Sequence, residues 1–297
     1  MGCYSSFSTL CSNLRMSEST VENVRKRYRN ITKRINQEYW NSTSETEHSL
    51  YVGSYGRGTS IYTSDIDVVV ILPNDIYDKY NDYSSNGQSA LLQDVKDKLK
   101  KTYPTSKIKG DGQVVSISFT DGITFEVVPA FKRNIFDSEE MTYPDTNDGG
   151  SWKKMRPQEE IDEFNKINKE SYGNLKRFCR MLRAWNSQNN VHLKGSYIDF
   201  FLYDFFRHER SSYITESYSY YDYISRDIFK YLKINPYKSY YSPSYIYSVS
   251  TDYPCILQLK SEKAYDKAVK GCDLGPDNDP ISWSNCWRYI YGDKFPQ

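Results

Sequence analysis

The chain lacks both a strong net charge and a long hydrophobic run. Its 39 Lys and Arg residues nearly balance its 38 Asp and Glu residues, which gives a formal net charge of +1. Proteins that grip a long nucleic acid usually carry a clear basic excess, so neither activation by bound DNA nor a long polymeric substrate is expected. The mean hydropathy is −0.75, and no run approaches the roughly 18 apolar residues that span a membrane.

Cysteine motifs and targeting signals are also missing. The six cysteines form no Cys-x-x-Cys pair and show no zinc-site spacing. No basic segment followed by an apolar core opens the chain, so no secretory signal is expected. The first six residues fit the short myristoylation pattern, which we interpret as a chance match. These observations predict a cytoplasmic protein with free thiols.

Two aspartates stand two positions apart at the start of an apolar segment. Residues 65–72, Asp-Ile-Asp-Val-Val-Val-Ile-Leu, predict a buried strand, because β-branched residues dominate and Pro73 follows. Side chains alternate across a strand, so Asp65 and Asp67 face the same side. Burying two like charges unpaired is costly, and bound magnesium, which favours carboxylate and phosphate oxygens, would offset that cost. The motif alone is equally consistent with two acids at a solvated strand end.

A turn that contains glycine and serine comes shortly before these acids. Gly53 and Ser54 follow a predicted strand at residues 48–52 and open a short predicted helix. Glycine lets the backbone approach a phosphate closely, while free N–H groups and the serine hydroxyl add contacts. No Gly-Lys-Ser/Thr follows, so the segment is not a P-loop. A Gly-Ser turn that leads into an Asp-x-Asp strand predicts a site for a nucleoside triphosphate and its metal ions.

A third acid is predicted on a neighbouring strand. Residues 114–119 and 123–128 flank Asp121-Gly122, and Asp-Gly is a strong hairpin signal. Glu126 is an isolated charge within the second apolar strand, and such a residue is usually an edge-strand or outward-facing one. Because two aspartates already need a third ligand, we favour the interpretation of Glu126 as that metal ligand. Asp121 belongs to the turn and is the weaker candidate.

These motifs together resemble a known family. Gly-Ser at 53–54, Asp-x-Asp at 65–67 and an acid before Val-Val-Pro-Ala at 127–130 resemble the DNA polymerase β-type nucleotidyltransferases. More narrowly, the chain is similar to the bacterial CD-NTases of the SMODS type, relatives of cyclic GMP-AMP synthase and oligoadenylate synthase. Further similar segments are Asp148–Trp152, Arg180–Trp185, Ser196-Tyr197, Trp287 and Tyr291–Pro296.

The resemblance implies transfer of a nucleoside monophosphate from a triphosphate onto a ribose hydroxyl. Repeated in one pocket, this reaction yields a cyclic di- or trinucleotide second messenger, which in such systems signals phage infection to an effector. Asp65, Asp67 and Glu126 would hold two Mg²⁺ ions, which Mn²⁺ can replace, and would help to activate the attacking hydroxyl. The third acid is commonly aspartate in this family, so Glu126 departs from its pattern.

The resemblance also implies nucleotide contacts. Gly53 and Ser54 would grip the donor triphosphate, Ser196 would reach a terminal phosphate, and Tyr197 would stack on a base. Two cations are further candidates for binding phosphate. Arg183 lies two residues before a tryptophan, where relatives place a triphosphate-binding lysine, and Lys194 lies just before Gly195.

The predicted fold class is α+β. Residues 1–155 would form a nucleotidyltransferase lobe with a long helix and a mixed sheet, and residues 156–297 a helical lobe that closes the nucleotide cleft. Ser19 and Glu22 are predicted to form a capping box. Helices are predicted at 21–40, 88–101, 158–187, 196–210, 223–232 and 255–270, and loops at 137–157 and 275–280.

Two other functions are compatible with these residues. A template-independent transferase would add nucleotides to an RNA end, a small molecule or a protein hydroxyl, although the near-neutral charge disfavours RNA. A catalytically silent partner would bind nucleotide without turnover, because Glu126 no longer completes the metal site. Incubation with NTPs alone separates these possibilities.

Overall fold

The chain folds into two compact units. A computed structural model describes residues 2–62, 65–134, 136, 139–208 and 212–297. The predicted features at Ser64, Asp137 and Arg210 lie outside the described residues. The sheet unit comprises Met16–Gly58 and Thr63–Ile161, and the helical unit comprises Met1–Arg15, Thr59–Tyr62 and Asp162–Gln297. These units differ from the predicted contiguous division, because residues 1–15 pack with the C-terminal helices.

The secondary structure combines both element types. The helices are α1 (Cys3–Asn13), α2 (Glu18–Tyr39), α3 (Gly53–Gly56), α4 (Asn74–Asn81), α5 (Gly87–Lys100), α6 (Pro157–Glu170), α7 (Asn174–Gln188), α8 (Gly195–His208), α9 (Tyr221–Ile234), α10 (Pro254–Asn278) and α11 (Pro280–Tyr291). The strands are β1 (Ser49–Tyr51), β2 (Ile66–Ile71), β3 (Lys107–Asp111), β4 (Val114–Ser118), β5 (Thr124–Ala130), β6 (Met141–Asp145), β7 (Ser151–Met155), β8 (Tyr240–Tyr241) and β9 (Ser248–Val249).

The central sheet has the strand order β1-β2-β5-β4-β3. Strands β2 and β5 run parallel, whereas β1–β2, β5–β4 and β4–β3 are antiparallel. The sheet is therefore mixed, which confirms the predicted α+β class. The β4–β5 hairpin turns at Asp121-Gly122 as predicted, and Gly122 adopts the positive φ of 85° that this turn needs.

One face of the sheet is covered by two helices. Val68 of β2 and Phe125 of β5 are fully buried against Ile31 of α2 and Leu91 of α5. Alternation along the strands turns the neighbouring residues, Asp67 among them, to the opposite face. The apolar residues of β2 therefore anchor the strand while its acid faces away from the core.

The N-cap of α2 corrects one expectation. The helix begins at Glu18, and the hydroxyl of Ser17 accepts a hydrogen bond from Thr20 N at 3.1 Å. Ser19 is already inside the first turn, so the predicted capping box with Glu22 is wrong. Ser17 takes the role because its φ of −65° and ψ of 156° aim the hydroxyl at the helix start.

The segment predicted as a loop at 137–157 contains a hairpin. Strands β6 and β7 pair antiparallel between Met141 and Met155. Gly150, with φ 96°, belongs to the turn, and a Cβ there would overlap the side chain of Gln88. Trp152 then docks by donating to Asn81 Oδ1 at 3.1 Å. Residues 148–152 thus include the turn of this hairpin and the tryptophan that attaches it to α4.

The long helix predicted at 158–187 is two helices. The helical conformation is interrupted between α6 and α7, where Tyr172 and Gly173 adopt φ values of 49° and 86°. The predicted turn at 275–280 is confirmed in part, since Gly275 has a non-helical φ of 65° near the end of α10.

Aromatic side chains fill the core of the helical unit. Phe7 of α1 meets Trp287 and Phe295 edge-on, with ring centroids 5.2 Å apart in both pairs. Trp185 of α7 packs on Phe229 of α9 at 5.1 Å. These contacts explain why the N-terminal helix belongs to the unit formed by the C-terminal residues.

All six cysteines lie in the described part of the chain and are free thiols. Cys255 is exposed, whereas burial raises the pKa of the Cys3 and Cys272 thiols to about 12 and that of Cys11 to about 11. Among the described residues, no helix combines the length and apolar character needed to cross a membrane.

Candidate active site

The strand register brings two of the predicted acids together. Asp67 of β2 lies directly opposite Glu126 of the parallel strand β5. Directly opposed residues on adjacent strands project to the same face, and such strands lie about 4.8 Å apart. Asp65 precedes β2 by one residue and faces the same side by alternation. All three acids therefore lie on one face of the sheet, at its interior strands β2 and β5.

The electrostatics of these acids reflect their crowding. Burial, followed by the charge of Glu126, raises the pKa of Asp67 to about 7, while the Arg57 guanidinium opposes the shift. Burial and the charge of Asp65 raise the pKa of Glu126, and a hydrogen bond with Asp67 opposes that rise. Partial burial also raises the pKa of Asp65. Together, the three acids disfavour additional negative charge nearby and favour bound cations.

The glycine of the predicted phosphate turn lies against one of these acids. Gly53 has φ 58°, and a Cβ built there would overlap Oδ2 of Asp67. Val52 N also donates to Asp67 O at 3.0 Å, which ties the strand before the turn to β2. Ser54 follows in α3 and is half-buried. The Gly-Ser turn and the Asp-x-Asp strand are therefore in direct contact, as their succession in the sequence suggested.

The carboxylates fit magnesium only as part of a donor set. Within the described residues, no group of three or more His, Cys, Asp or Glu side chains is arranged to hold a metal ion by itself. Magnesium commonly takes one or two protein carboxylates together with substrate phosphates and water. Asp67 and Glu126 supply oxygen donors whose mutual repulsion a dication would relieve. This donor chemistry fits a metal that arrives with a nucleotide.

A buried ion pair holds the residue that follows helix α3. Arg57 follows α3, and its Nη1 lies 3.4 Å from Glu160 Oε2 of α6. Both side chains are buried. The sequence analysis did not predict this pair, because 103 positions separate its members. The available signal was an arginine between two glycines, Gly56 and Gly58.

Arg183 is engaged elsewhere than the sequence predicted. Its Nη1 lies 2.5 Å from Asp199 Oδ1, and its Nη2 donates to Gly195 O at 3.1 Å. The side chain is 8% exposed and that of Asp199 is 0% exposed. Binding a phosphate through Arg183 would require breaking this buried pair, so we do not retain the residue as a nucleotide contact.

Three further predicted nucleotide contacts, Lys194, Ser196 and Tyr197, also lie in the helical unit. Lys194 is exposed, and its Nζ lies 3.1 Å from Asp252 Oδ2. Solvent screens this ion pair, so it contributes little to stability. Ser196 is half-buried in the first turn of α8. Tyr197 is fully buried and meets Tyr240 edge-on at 5.3 Å. Base stacking needs an exposed ring face, so Tyr197 serves as a core residue here.

The mixed sheet, its paired acids and the adjoining Gly-Ser turn define the chain as an enzyme of the nucleotidyltransferase class. Residues 1–168, more than half of the chain, match the Second Messenger Oligonucleotide or Dinucleotide Synthetase domain. The chain belongs to this family, and the predicted relationship to the bacterial CD-NTases is confirmed. No curated protein matches it significantly by sequence.

Solved structures of similar fold include a bacterial di-nucleotide cyclase and a bacterial c-di-GMP synthase. The di-nucleotide cyclase DncV of Vibrio cholerae, in complex with ATP and GTP, has a TM-score of 0.76 at 13% identity over 99% of this chain and 96% of that chain. Escherichia coli CdnC with ATP has a TM-score of 0.72 at 14% identity over 99% of each chain. A c-di-GMP synthase of the CdnE type from Capnocytophaga granulosa has a TM-score of 0.64 at 18% identity, over 94% and 86%. At these identities the likeness shows a shared fold.

Proposed function

We propose that this enzyme joins nucleoside triphosphates into a cyclic di- or trinucleotide and releases pyrophosphate. The family to which the chain belongs synthesises oligonucleotide or dinucleotide second messengers. The observation that carries the proposal is the convergence of Asp67, Glu126 and Gly53 on one face of the central sheet. This arrangement offers oxygen donors for cations beside a backbone that approaches a phosphate closely.

Each residue of the site has a distinct proposed task. Asp65, Asp67 and Glu126 bind the metal ions, and their combined charge favours removal of the proton from the attacking ribose hydroxyl. Gly53 and Ser54 bind the donor triphosphate through backbone N–H groups and the serine hydroxyl. Two bound Mg²⁺ ions would neutralise charge on the attacking and leaving oxygens.

Three finer points belong to the same proposal. Ser196 and Lys194 are the proposed nucleotide contacts from the helical unit. ATP and GTP are the first substrates to test, since the DncV structure contains both. The product would act in the cytoplasm on an effector of an anti-phage CBASS system, without activation by DNA.

The test is a product assay. The purified protein is incubated with each radiolabelled NTP, singly and in the four-way mixture, with Mg²⁺ or Mn²⁺. Phosphatase is then added, and the surviving label is separated by chromatography. A phosphatase-resistant product is expected, and the labels it carries identify the bases.

Matched variants assign the product to this site. Asp67→Asn is expected to abolish the product. Asp121→Asn removes the same charge from the β4–β5 turn, where Asp121 pairs with Arg27 at 2.8 Å, and is expected to leave the product unchanged. Undiminished product from Asp67→Asn contradicts the proposal. Pyrophosphate without a resistant product would indicate transfer to a separate acceptor, and binding without pyrophosphate a silent partner.

A further inference from the structure

A buried network in the helical unit joins three residues from distant parts of the chain. Asp199 of α8 accepts from Arg183 of α7 at 2.5 Å through Oδ1. Its other oxygen, Oδ2, accepts from the hydroxyl of Thr59 at 2.8 Å. Thr59 and Asp199 are completely buried. The two oxygens of one carboxylate thus accept from the Arg183 guanidinium on one side and from the Thr59 hydroxyl on the other.

Stability alone does not account for this network. Asp199 stands between Ile198 and Phe200 in a strongly apolar stretch of α8, and all three are buried. Replacing a buried ion pair by apolar residues of similar volume is often neutral or stabilising. What an apolar replacement cannot do is hold the Thr59 hydroxyl in one orientation, since that needs a directional acceptor.

The location of Thr59 gives that orientation a consequence. The chain enters the helical unit at Thr59 and leaves it after Tyr62. Thr59 lies six positions after Gly53 and six before Asp65, and six residues span at most about 20 Å. Both functional motifs are therefore tethered by short segments to the point that Asp199 fixes.

Neighbouring residues strengthen the attachment. Ile61 is 5% exposed within the aromatic core of the helical unit. The Lys294 ammonium lies 4.4 Å from the centre of the Tyr62 ring. The hydroxyl of Thr59 supplies the directional contact, while these two residues hold the rest of the segment.

We propose that Thr59 and Asp199 are positioning residues for nucleotidyl transfer. Asp199 orients Thr59 and thereby fixes the segment that joins the Gly-Ser turn to the Asp-x-Asp strand, and the hydrogen bond from Arg183 holds the Asp199 carboxylate in place. The kinetic part of this inference rests on the proposed function. Neither residue is assigned a contact with the substrate.

The test compares three single-residue variants, two at Thr59 and one at Tyr291. Thr59→Val keeps the volume and removes the donor, whereas Thr59→Ser keeps the donor. Tyr291→Phe is the matched control, because its hydroxyl donates to the buried Ser225 Oγ of the same unit at 2.8 Å. Product formation is measured below the Tm of every variant, together with hydrogen exchange of peptides covering residues 55–62.

The expected result is specific to Thr59→Val. Its kcat should fall about 10- to 100-fold with little change in KM, because misplaced reacting groups lower transition-state stabilisation. Exchange at residues 55–62 should accelerate about tenfold or more. Thr59→Ser should restore both values, and Tyr291→Phe should change neither.

Two outcomes would overturn the inference. Unchanged exchange and kcat in Thr59→Val would show that the hydroxyl does not fix the segment. Equal effects in Thr59→Val and Tyr291→Phe would reduce the contact to general stability. If the wild-type protein forms no product, the proposed function fails, while the exchange measurement still decides whether Asp199 holds the segment.

Discussion

Removing the charge of Asp67 is expected to stabilise the protein while it abolishes activity. The carboxylate is held beside Glu126 and largely withdrawn from water, so its ionised form is disfavoured in the folded state. Asparagine keeps the shape and can donate to the Glu126 carboxylate. Asp67→Asn should therefore have a higher free energy of unfolding than the wild-type protein when no divalent metal is present.

The magnitude follows from the pKa. The pKa of Asp67 rises from 3.8 to about 7 on folding, and each pKa unit corresponds to about 1.4 kcal/mol. Ionised Asp67 thus costs the folded state at most about 4 kcal/mol at pH 8. Because Glu126 shares part of this cost, the expected gain for Asp67→Asn is about 1–3 kcal/mol, and about 2–4 °C in Tm accompanies each kcal/mol.

The gain should depend on pH with a defined sign. Between the unfolded pKa of 3.8 and the folded pKa of about 7, the folded protein binds more protons than the unfolded chain. Its stability relative to Asp67→Asn therefore falls as the pH rises through this window. Thermal melts in EDTA from pH 5 to pH 8 should show the difference in Tm growing and then levelling off above pH 7.

A second aspartate provides a control of opposite sign. The hydrogen bond from Arg27 lowers the pKa of Asp121, so this carboxylate stabilises the fold above its unfolded pKa and loses that effect as the pH falls. Asp121→Asn should lower the Tm at neutral pH. If Asp67→Asn also lowers the Tm at pH 8, or raises it equally at every pH, the electrostatic account of the site is refuted.

Three further predictions concern the surroundings of the site. Gly53→Ala should lower kcat by about 100-fold or more, because its Cβ overlaps the Asp67 carboxylate; Gly112→Ala, with a similar φ of 60° and open space, isolates backbone strain, and equal losses would contradict the steric account. Mg²⁺ alone should barely change the Tm, whereas Mg²⁺ with a non-hydrolysable ATP analogue should raise it by several degrees, since phosphates complete the donor set; tight binding of Mg²⁺ alone in calorimetry would argue against this. Glu160→Gln should lower the free energy of unfolding by about 3 kcal/mol in denaturant titration, because it removes one charge of the buried Arg57–Glu160 pair; a loss below about 1 kcal/mol would show that the pair is dispensable.

The catalytic sheet was predictable because its signals are local. The β-branched run after Asp67 and the Asp-Gly turn each determine their structure within a few residues, and the structure confirms both. The sequence predicted only that Glu126 lies on a strand next to that of Asp67, and not that the two residues face each other. The parallel register that sets them opposite each other depends on the whole crossover between β2 and β5.

The failures involve partners that are distant in sequence. An arginine near a helix end looks the same whether it meets a phosphate or a carboxylate, and only the fold shows that Arg183 is held by Asp199. The sequence signal for this partner was Asp199 itself, because it is an isolated acid in an apolar, aromatic-rich segment. Likewise, turn-forming residues at 146–150 concealed the short strands on either side of them.

The cysteines have a practical consequence for spectroscopy. Only thiolates react rapidly with maleimides, and burial raises the pKa of Cys3, Cys11, Cys179, Cys272 and Cys286. Cys255, at the start of α10, is exposed. The natural sequence thus provides one chemical handle on the helical unit, where a fluorophore can be attached at neutral pH without mutating the remaining thiols.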